Sequence, residues 1–233
     1  MYHGPYQETK MNILSIDIGG THVKVLLSGL VEKRKFDSGP TLTAQQMVDG
    51  VMKITTDWEY DHVSMGLPTP IQNNKLVHDP VNLGSGWVDF DFDKAFGKPT
   101  RMLNDAAMQA LGSYEGGKML FLGLGTGLGT TIIDGDTIIP LELAHLPYRK
   151  KTFEDYVGIH GLEKYGKKKW REYVFDIVDM LDAAVIPDYI VLGGGNVERL
   201  KKLPDKCRLG HNANAFIGGF RMWDRNWKGP TPK

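Results

Sequence analysis

Twice in this chain a run of β-branched and apolar residues ends in a glycine-rich tip and resumes at once as a second strand. This repetition constrains the fold more than any other feature. In MNILSIDIGGTHVK, Met11 to Lys24, the first strand carries Ile13, Leu14 and Ile16. Gly19 and Gly20 break it, and Val23, Val25, Leu26 and Leu27 resume it. The pattern predicts a hairpin, not a strand-to-helix loop. Lys118 to Leu122 is the second opening strand, Gly123 to Gly129 alternates glycine with other residues, and Thr130 to Ile133 pairs with Thr137 to Ile139 about Asp134-Gly135-Asp136. No residue-level repeat is legible. Two hairpins of one kind nevertheless predict a duplicated α/β architecture with a cleft between its halves.

Between the hairpins, Val31 to Phe36 is a third strand, and Thr43 with Gln46 forms a capping box for a helix striped by Met47, Val48, Val51 and Ile54. Val63 to Leu67 is a short buried strand. Thr69 to Trp87 is a long irregular segment with a brief strand at Lys75 to His78, and such a segment is either functional or floppy. Asp91 to Phe96 is a short helix, Thr100 to Leu103 a strand, and Ala106 to Tyr114 a helix entered through Asn104 and Asp105. Gly161 to Ala184 is a long helix, Tyr189 to Leu192 a buried strand, Val197 to Lys202 a helix, and the tail from Asn212 to Trp223 is helical.

A net charge of zero argues against nucleic acid or an anionic membrane as the main partner and leaves a small molecule. The single cysteine, Cys207, rules out an internal disulfide and a cysteine-rich zinc site, which suits a reducing compartment. No apolar run approaches a membrane span and no signal pattern is visible, so the expected location is cytoplasmic. Residues Met1 to Lys10 read as a flexible extension.

Two phosphate-loop look-alikes fail on mechanism. Gly112 to Lys118 has Walker A spacing, but Met119 stands where a metal-binding Ser or Thr belongs, and the loop runs from helix to strand. Gly123 to Gly129 lacks the third glycine and the following helix of a dinucleotide fingerprint. Three glycine turns then remain: Asp17 to Thr21, Gly123 to Gly129, and Gly193 to Gly195. Each follows a buried strand, where open α/β sheets place ligands. Asp17 beside an anion site is repulsive unless a divalent cation lies between them. The plainer reading is an ordinary turn with Asp17 as a local hydrogen-bonder.

DIGGTHVK at Asp17 to Lys24, GLP at Gly66 to Pro68, LND at Leu103 to Asp105, LGTGLG at Leu124 to Gly129, ELAH at Glu142 to His145 and LGGG at Leu192 to Gly195 fall in one order. Together they resemble the ROK family (repressors, open reading frames and kinases), and with FEDYVG after ELAH they are most similar to its polyphosphate-using glucokinase branch. The resemblance implies a two-domain actin-like, ribonuclease H-like kinase fold with a central cleft. It divides the chain into a small α/β domain, residues 11–103, and a larger one, 104–233, whose last helix packs back on the first. It implies a sugar kinase moving a phosphoryl group from polyphosphate or ATP to the 6-hydroxyl of glucose or a related hexose, with Mg²⁺, without structural zinc, and as a homodimer.

By position, the resemblance makes Asp105 the general base and Asn104, Glu142, His145 and Glu154 sugar ligands, with Asn82 of the long loop also on the substrate side. It makes Gly19, Gly20 and Thr21, with Gly125, Thr126 and Gly127, the phosphate loops, and Gly193, Gly194 and Gly195 the adenosine-side turn. Asp17 is the Mg²⁺-side carboxylate, direct or through water. A base within reach suits a sugar hydroxyl, a poor nucleophile near neutral pH. The rival role for Asp105 is a helix cap, and both hold if Asn104 is the cap. Glu142 and His145 suggest a metal, but zinc wants further ligands.

Ala144 and Thr69 stand where the family has glycine, so the sugar loops differ, and the three family cysteines are absent. No helix-turn-helix precedes Met11, which argues against the repressor branch. Arg149, Lys150 and Lys151, then Lys164, Lys167, Lys168 and Arg171 at helical spacing, read as a track for polyphosphate or as a solvated helix face with Glu163 paired to Lys167. Two rival functions stay open: a catalytically weak sugar-binding or regulatory protein, and an actin-like phosphotransferase acting on a non-sugar.

Overall fold

A computed structural model describes residues 11–211 and 213–223. In chain order the first half comprises β1 (Ile13–Ile18), β2 (His22–Leu27), β3 (Arg34–Asp37), α1 (Ala44–Ile54), β4 (His62–Leu67), β5 (Ile71–Gln72), β6 (Lys75–Leu76), α2 (Phe92–Phe96), β7 (Thr100–Asn104) and α3 (Asp105–Ser113). The second half comprises β8 (Lys118–Leu124), β9 (Leu128–Asp134), β10 (Thr137–Leu141), β11 (Pro147–Tyr148), β12 (Lys151–Thr152), α4 (Phe153–Val157), α5 (Ile159–Val185), β13 (Tyr189–Gly193), β14 (Cys207–Leu209) and α6 (Asn214–Arg221).

Two five-stranded sheets share one plan. The first runs β3-β2-β1-β4-β7 and the second β10-β9-β8-β13-β14. In each, the first three strands form an antiparallel meander and the last two join in parallel. The predicted duplication is therefore a duplication of topology. This is the two-sheet α/β architecture of the actin-like fold.

Local chemistry explains the elements. Thr43 Oγ1 accepts from the Gln46 amide at 3.3 Å and Gln46 Oε1 accepts from the Thr43 amide at 3.0 Å, the capping box expected for α1. That helix buries Met47, Val48 and Val51 against Ile16, Val25 and Val63. Across the second sheet, α5 buries Trp170, Val174 and Ile177 against Leu120, Leu122 and Ile190. Burying such side chains is the main favourable term in folding, and truncating one to alanine costs about 2–5 kcal/mol.

Between the sheets lie α3 and α6, which cross on glycine. A Cβ on Gly112 would collide with the Asn214 carbonyl, and one on Gly218 with the Met108 carbonyl. The clash is reciprocal, so the helices touch backbone to backbone at two points. The α6 helix also covers the first sheet: Ser64 Oγ donates to the Gly219 carbonyl at 2.5 Å, and Trp223 Nε1 donates to Ser64 Oγ at 3.0 Å.

Several expectations are corrected. The third strand starts at Arg34, three residues late. Only one 3-10 turn, Val197–Arg199, forms where a helix to Lys202 is expected, and β14 takes up the chain afterwards as a short edge strand. The segment Thr69 to Trp87 is tied down. The Asp79 carboxylate accepts from the amides of Gly86, Trp87 and Val88, and these backbone donors, Val88 foremost, hold its pKa below the usual range. Trp87 is fully buried and donates Nε1 to the Leu42 carbonyl at 3.2 Å. The long helix is really two, because Gly166 has φ 72° and ψ 160° inside α5. Lys164 therefore does not share one face with Lys167 and Arg171, and Glu163 faces His160 at 3.8 Å.

Candidate active site

The tip between β1 and β2, the tip between β8 and β9, and the turn after β13 converge. Gly19, Gly20, Thr21, Gly125, Thr126 and Gly195 line one cavity of about 500 Å³, together with His22, Lys24, Ile159 and Asn196. The first tip closes on a hydrogen bond from the Gly19 amide to the His22 carbonyl at 3.0 Å, and Ser38 Oγ donates to the Gly19 carbonyl at 2.5 Å. A Cβ on Gly20 would press on Asn82 Cβ at 3.3 Å, which places Asn82 over this tip. Glycines here keep side chains off the cavity wall, which lets an anion approach the backbone closely.

Asp17 is the penultimate residue of β1, beside the tip. Directly across the strand pair stands Lys24, whose Nζ lies 3.3 Å from Asp17 Oδ2. Sequence reasoning gives Lys24 no role in the site. It is the one Lys or Arg side chain lining the cavity among the described residues. Counting outward from the turn would have found it, since the register pairs Ile18 with Val23 and then Asp17 with Lys24.

The junction of β7 with α3 carries the other key carboxylate. Asn104 Oδ1 accepts from the amides of Ala106 and Ala107 at 3.0 and 3.4 Å, so Asn104 is the helix cap. Its Nδ2 donates to the Thr69 carbonyl at 3.5 Å. Asp105 is released from capping, although its Oδ1 also accepts from the Ala106 amide at 2.7 Å. It is half-buried. Loss of solvent, reinforced by the nearby charges of Asp17 and Glu142, pushes its pKa up to about 7.

ELAH folds as a 3-10 turn, Leu143–His145, that brings Glu142 and His145 onto one side. His145 Nε2 is 3.7 Å from Glu142 Oε2, and its Nδ1 is 3.5 Å from Glu154 Oε1, so one imidazole bridges both carboxylates. All three side chains are more than a third exposed and open to a ligand. Glu154 also touches the second glycine loop, where a Cβ on Gly127 would lie 2.6 Å from Glu154 Oε2. No group of three His, Cys, Asp or Glu side chains among the described residues is arranged to hold a metal. Ala144 is buried and is not among the residues with positive φ, so alanine fits the turn where the family has glycine. Thr69, also buried, donates Oγ1 to the His78 carbonyl at 3.0 Å and braces its loop.

The expected residues do not all share one surface. Gly127 lies against Glu154 and does not line the cavity. Gly193 lies against the Phe121 ring, and Gly194, at φ 83°, comes so close to Leu124 that a Cβ would sit 2.5 Å from its carbonyl oxygen. Of the third turn only Gly195 faces the cavity, joined by Asn196, which sequence reasoning passed over. Asn196 is buried, and its Nδ2 donates to the Gly125 carbonyl at 2.8 Å, locking the third turn onto the second.

Paired sheets, a glycine-walled cavity at their strand ends and a half-buried carboxylate entering a helix beside it define the actin-like class of folds. Within that class the chain belongs to the ROK family, which it matches over residues 13–140. It is 23% identical over 219 residues to polyphosphate glucokinase of Mycobacterium tuberculosis, spanning 82% of this chain and 80% of that protein. A polyphosphate glucokinase of Mycobacterium leprae is 27% identical over 135 residues, spanning 52% of this chain and 42% of that one. Among solved structures, the inorganic polyphosphate/ATP-glucomannokinase from Arthrobacter superposes with TM-score 0.76 at 21% identity, over 90% of this chain and 97% of that one. A ROK family glucokinase from Streptomyces griseus, in complex with glucose and AMPPNP, superposes with TM-score 0.66 at 15% identity, over 94% and 93%. No helix among the described residues is long and apolar enough to cross a membrane.

Proposed function

We propose that this protein is a sugar kinase that transfers a phosphoryl group from polyphosphate or ATP to the 6-hydroxyl of glucose or a related hexose. The observation that carries the reading is Asp105. A carboxylate with pKa raised to about 7 is within electrostatic reach of Asp17 beside the phosphate-facing cavity and of Glu142 in the exposed Glu-His-Glu group. It is positioned and tuned to take a proton near neutral pH. The names of the relatives support the same chemistry.

In this reading Glu142, His145 and Glu154 bind sugar hydroxyls, the carboxylates accepting and the imidazole donating or accepting according to its proton. Asn82 and Asn104 bound the same side. Asp105 orients the reacting hydroxyl and accepts its proton as the new O–P bond forms, and the bridging oxygen leaves with the shortened donor. Backbone amides of Gly20, Thr21 and Thr126 hold the transferred phosphate, while those of Gly19 and Gly125 close their own turns on the His22 and Gly127 carbonyls. Lys24 adds a positive charge where negative charge gathers.

Asp17 fits the Mg²⁺ expected of such a reaction. Its carboxylate lies at the cavity edge, and a single protein carboxylate matches an ion that arrives on donor phosphates and keeps several waters. When bound, Mg²⁺ would neutralise donor charge. The two-domain reading assigns residues 11–103 and 104–233 to the two walls of the cleft.

The test is turnover of several hexoses with ATP and with polyphosphate, for the natural protein and for Asp105→Asn. The substitution should lower kcat by about 10²-fold or more while calorimetry shows hexose binding retained. Near-normal turnover in a folded variant would sink the mechanism. Tight hexose binding by the natural protein without turnover on any donor would favour a regulatory sugar-binding protein.

A further inference from the structure

A second cavity, of about 340 Å³, adjoins the first and shares Gly195 with it. Lys167, Arg171, Glu198, Arg199, Leu200 and Lys201 complete its wall, four cations against one carboxylate. The break at Gly166 sets the direction of the helical segment that carries Lys167 and, one turn later, Arg171. Opposite, the 3-10 turn after the third glycine turn carries Glu198 and Arg199.

Hydrogen bonds join this wall to the phosphate-facing cavity. Arg171 Nε donates to the Arg199 carbonyl at 2.7 Å, and Arg199 Nε donates to Asn196 Oδ1 at 3.2 Å. Asn196 in turn holds the Gly125 carbonyl. Among the described residues, Lys167 and Lys201 have no ion-pair partner within 4 Å. Outside the groove, Arg149 is paired with Asp176, Lys151 with Asp155 and Lys169 with Glu172. Like charges held together without counter-charges repel, and the arrangement is relieved by an anion.

The lining also says which anion. No aromatic ring lines the groove, and Leu200 is its one large apolar side chain, so a purine ring would gain little there. A chain of phosphates would meet a cation along its length. We propose that this groove holds the distal phosphates of a linear inorganic polyphosphate whose terminal phosphoryl lies at the two glycine loops. The proposal rests on the phosphotransfer reading above. In the transfer, the sugar O6–P bond forms and the terminal P–O–P bridge breaks. The hydroxyl proton goes to Asp105, and the bridging oxygen stays with the polyphosphate, one unit shorter, in the groove.

The experiment is calorimetric titration of the full chain with long-chain polyphosphate, with tripolyphosphate and with ATP, at fixed ionic strength, in parallel with turnover. The variant carries Lys167→Glu and Lys201→Glu, both at exposed positions, with Lys167→Gln and Lys201→Gln as a milder pair. Long-chain polyphosphate should bind roughly 10-fold more weakly or worse to the Glu pair, with a smaller loss for the Gln pair. Tripolyphosphate, with few phosphates to spare for the groove once its end is held at the glycine loops, should change less than about 2-fold, and log K for the long chain should depend less steeply on salt. Equal losses for all three ligands, a loss confined to ATP, or no loss for the long chain would each overturn the groove. Groove-dependent binding without turnover of any hexose would overturn the phosphotransfer reading and leave the groove. Turnover with long-chain binding unchanged in both variants would do the reverse.

Discussion

Asp105 shows how much a single residue's surroundings decide. Its folded pKa of about 7 lies well above the ordinary carboxylate value, so the native state holds this proton more tightly than the unfolded chain does. Its contribution to stability is therefore fully present below about pH 4 and is lost as pH rises through 7. In the proposed mechanism activity runs the other way, because Asp105 as base must be ionised. We expect kcat/KM to rise with pH along a limb centred near 7, and Asp105→Asn to be more stable than the natural protein at pH 8 but not at pH 4. Steady-state pH profiles and urea unfolding at the two pH values check both signs. That Asn104 takes the cap was legible, since LND before a helix offers one side chain for the cap and a second that is not needed for it. The pKa of Asp105 was not, because desolvation depends on what other segments bring near. Lys24 shows the opposite case, a role hidden only because a hairpin register was not counted outward from its tip.

At the scale of elements, periodicity carried far and glycine was ambiguous. The apolar stripe of α1 and its capping box are local signals, and the structure repeats the capping box as read and the stripe at Met47, Val48 and Val51, with Ile54 only partly buried. The strands β14 and β5 are too short to carry a pattern of their own and exist through pairing, β5 with the expected strand at Lys75. Glycine runs read alike in sequence but answer three needs: a cavity wall without side chains at Gly19 and Gly20, close backbone approach at Gly194, and helix contact at Gly112 and Gly218. The last need predicts a cost. Gly218→Ala places a methyl group against the Met108 carbonyl and forces α3 and α6 apart, so it should destabilise by about 1–3 kcal/mol despite alanine's better helix propensity. Thermal unfolding should register this as a drop of roughly 2–4 °C per kcal/mol. An unchanged or higher midpoint would show that the crossing is looser than its geometry.

For the whole molecule, the duplicated plan was legible from two hairpins and six ordered motifs, whereas only the family resemblance, and no pattern in the residues themselves, spoke to how the halves join. The joining rests on α6, which follows the second sheet in sequence but lies on the first. Ser15 and Ser64, both fully buried on β1 and β4, have Gly219 of that helix against them. The first sheet is therefore unfinished when its own strands have all been made. During synthesis it must wait, with one face uncovered, until residues 214–221 arrive more than a hundred positions later. The second sheet has no such delay, since α5 precedes its last two strands. A chain ended after Leu209 should thus keep protected amides in β8 and β13 while those of β1 and β4 exchange freely, a difference hydrogen exchange would record. In order of completion, the half of this protein that is made first is finished last.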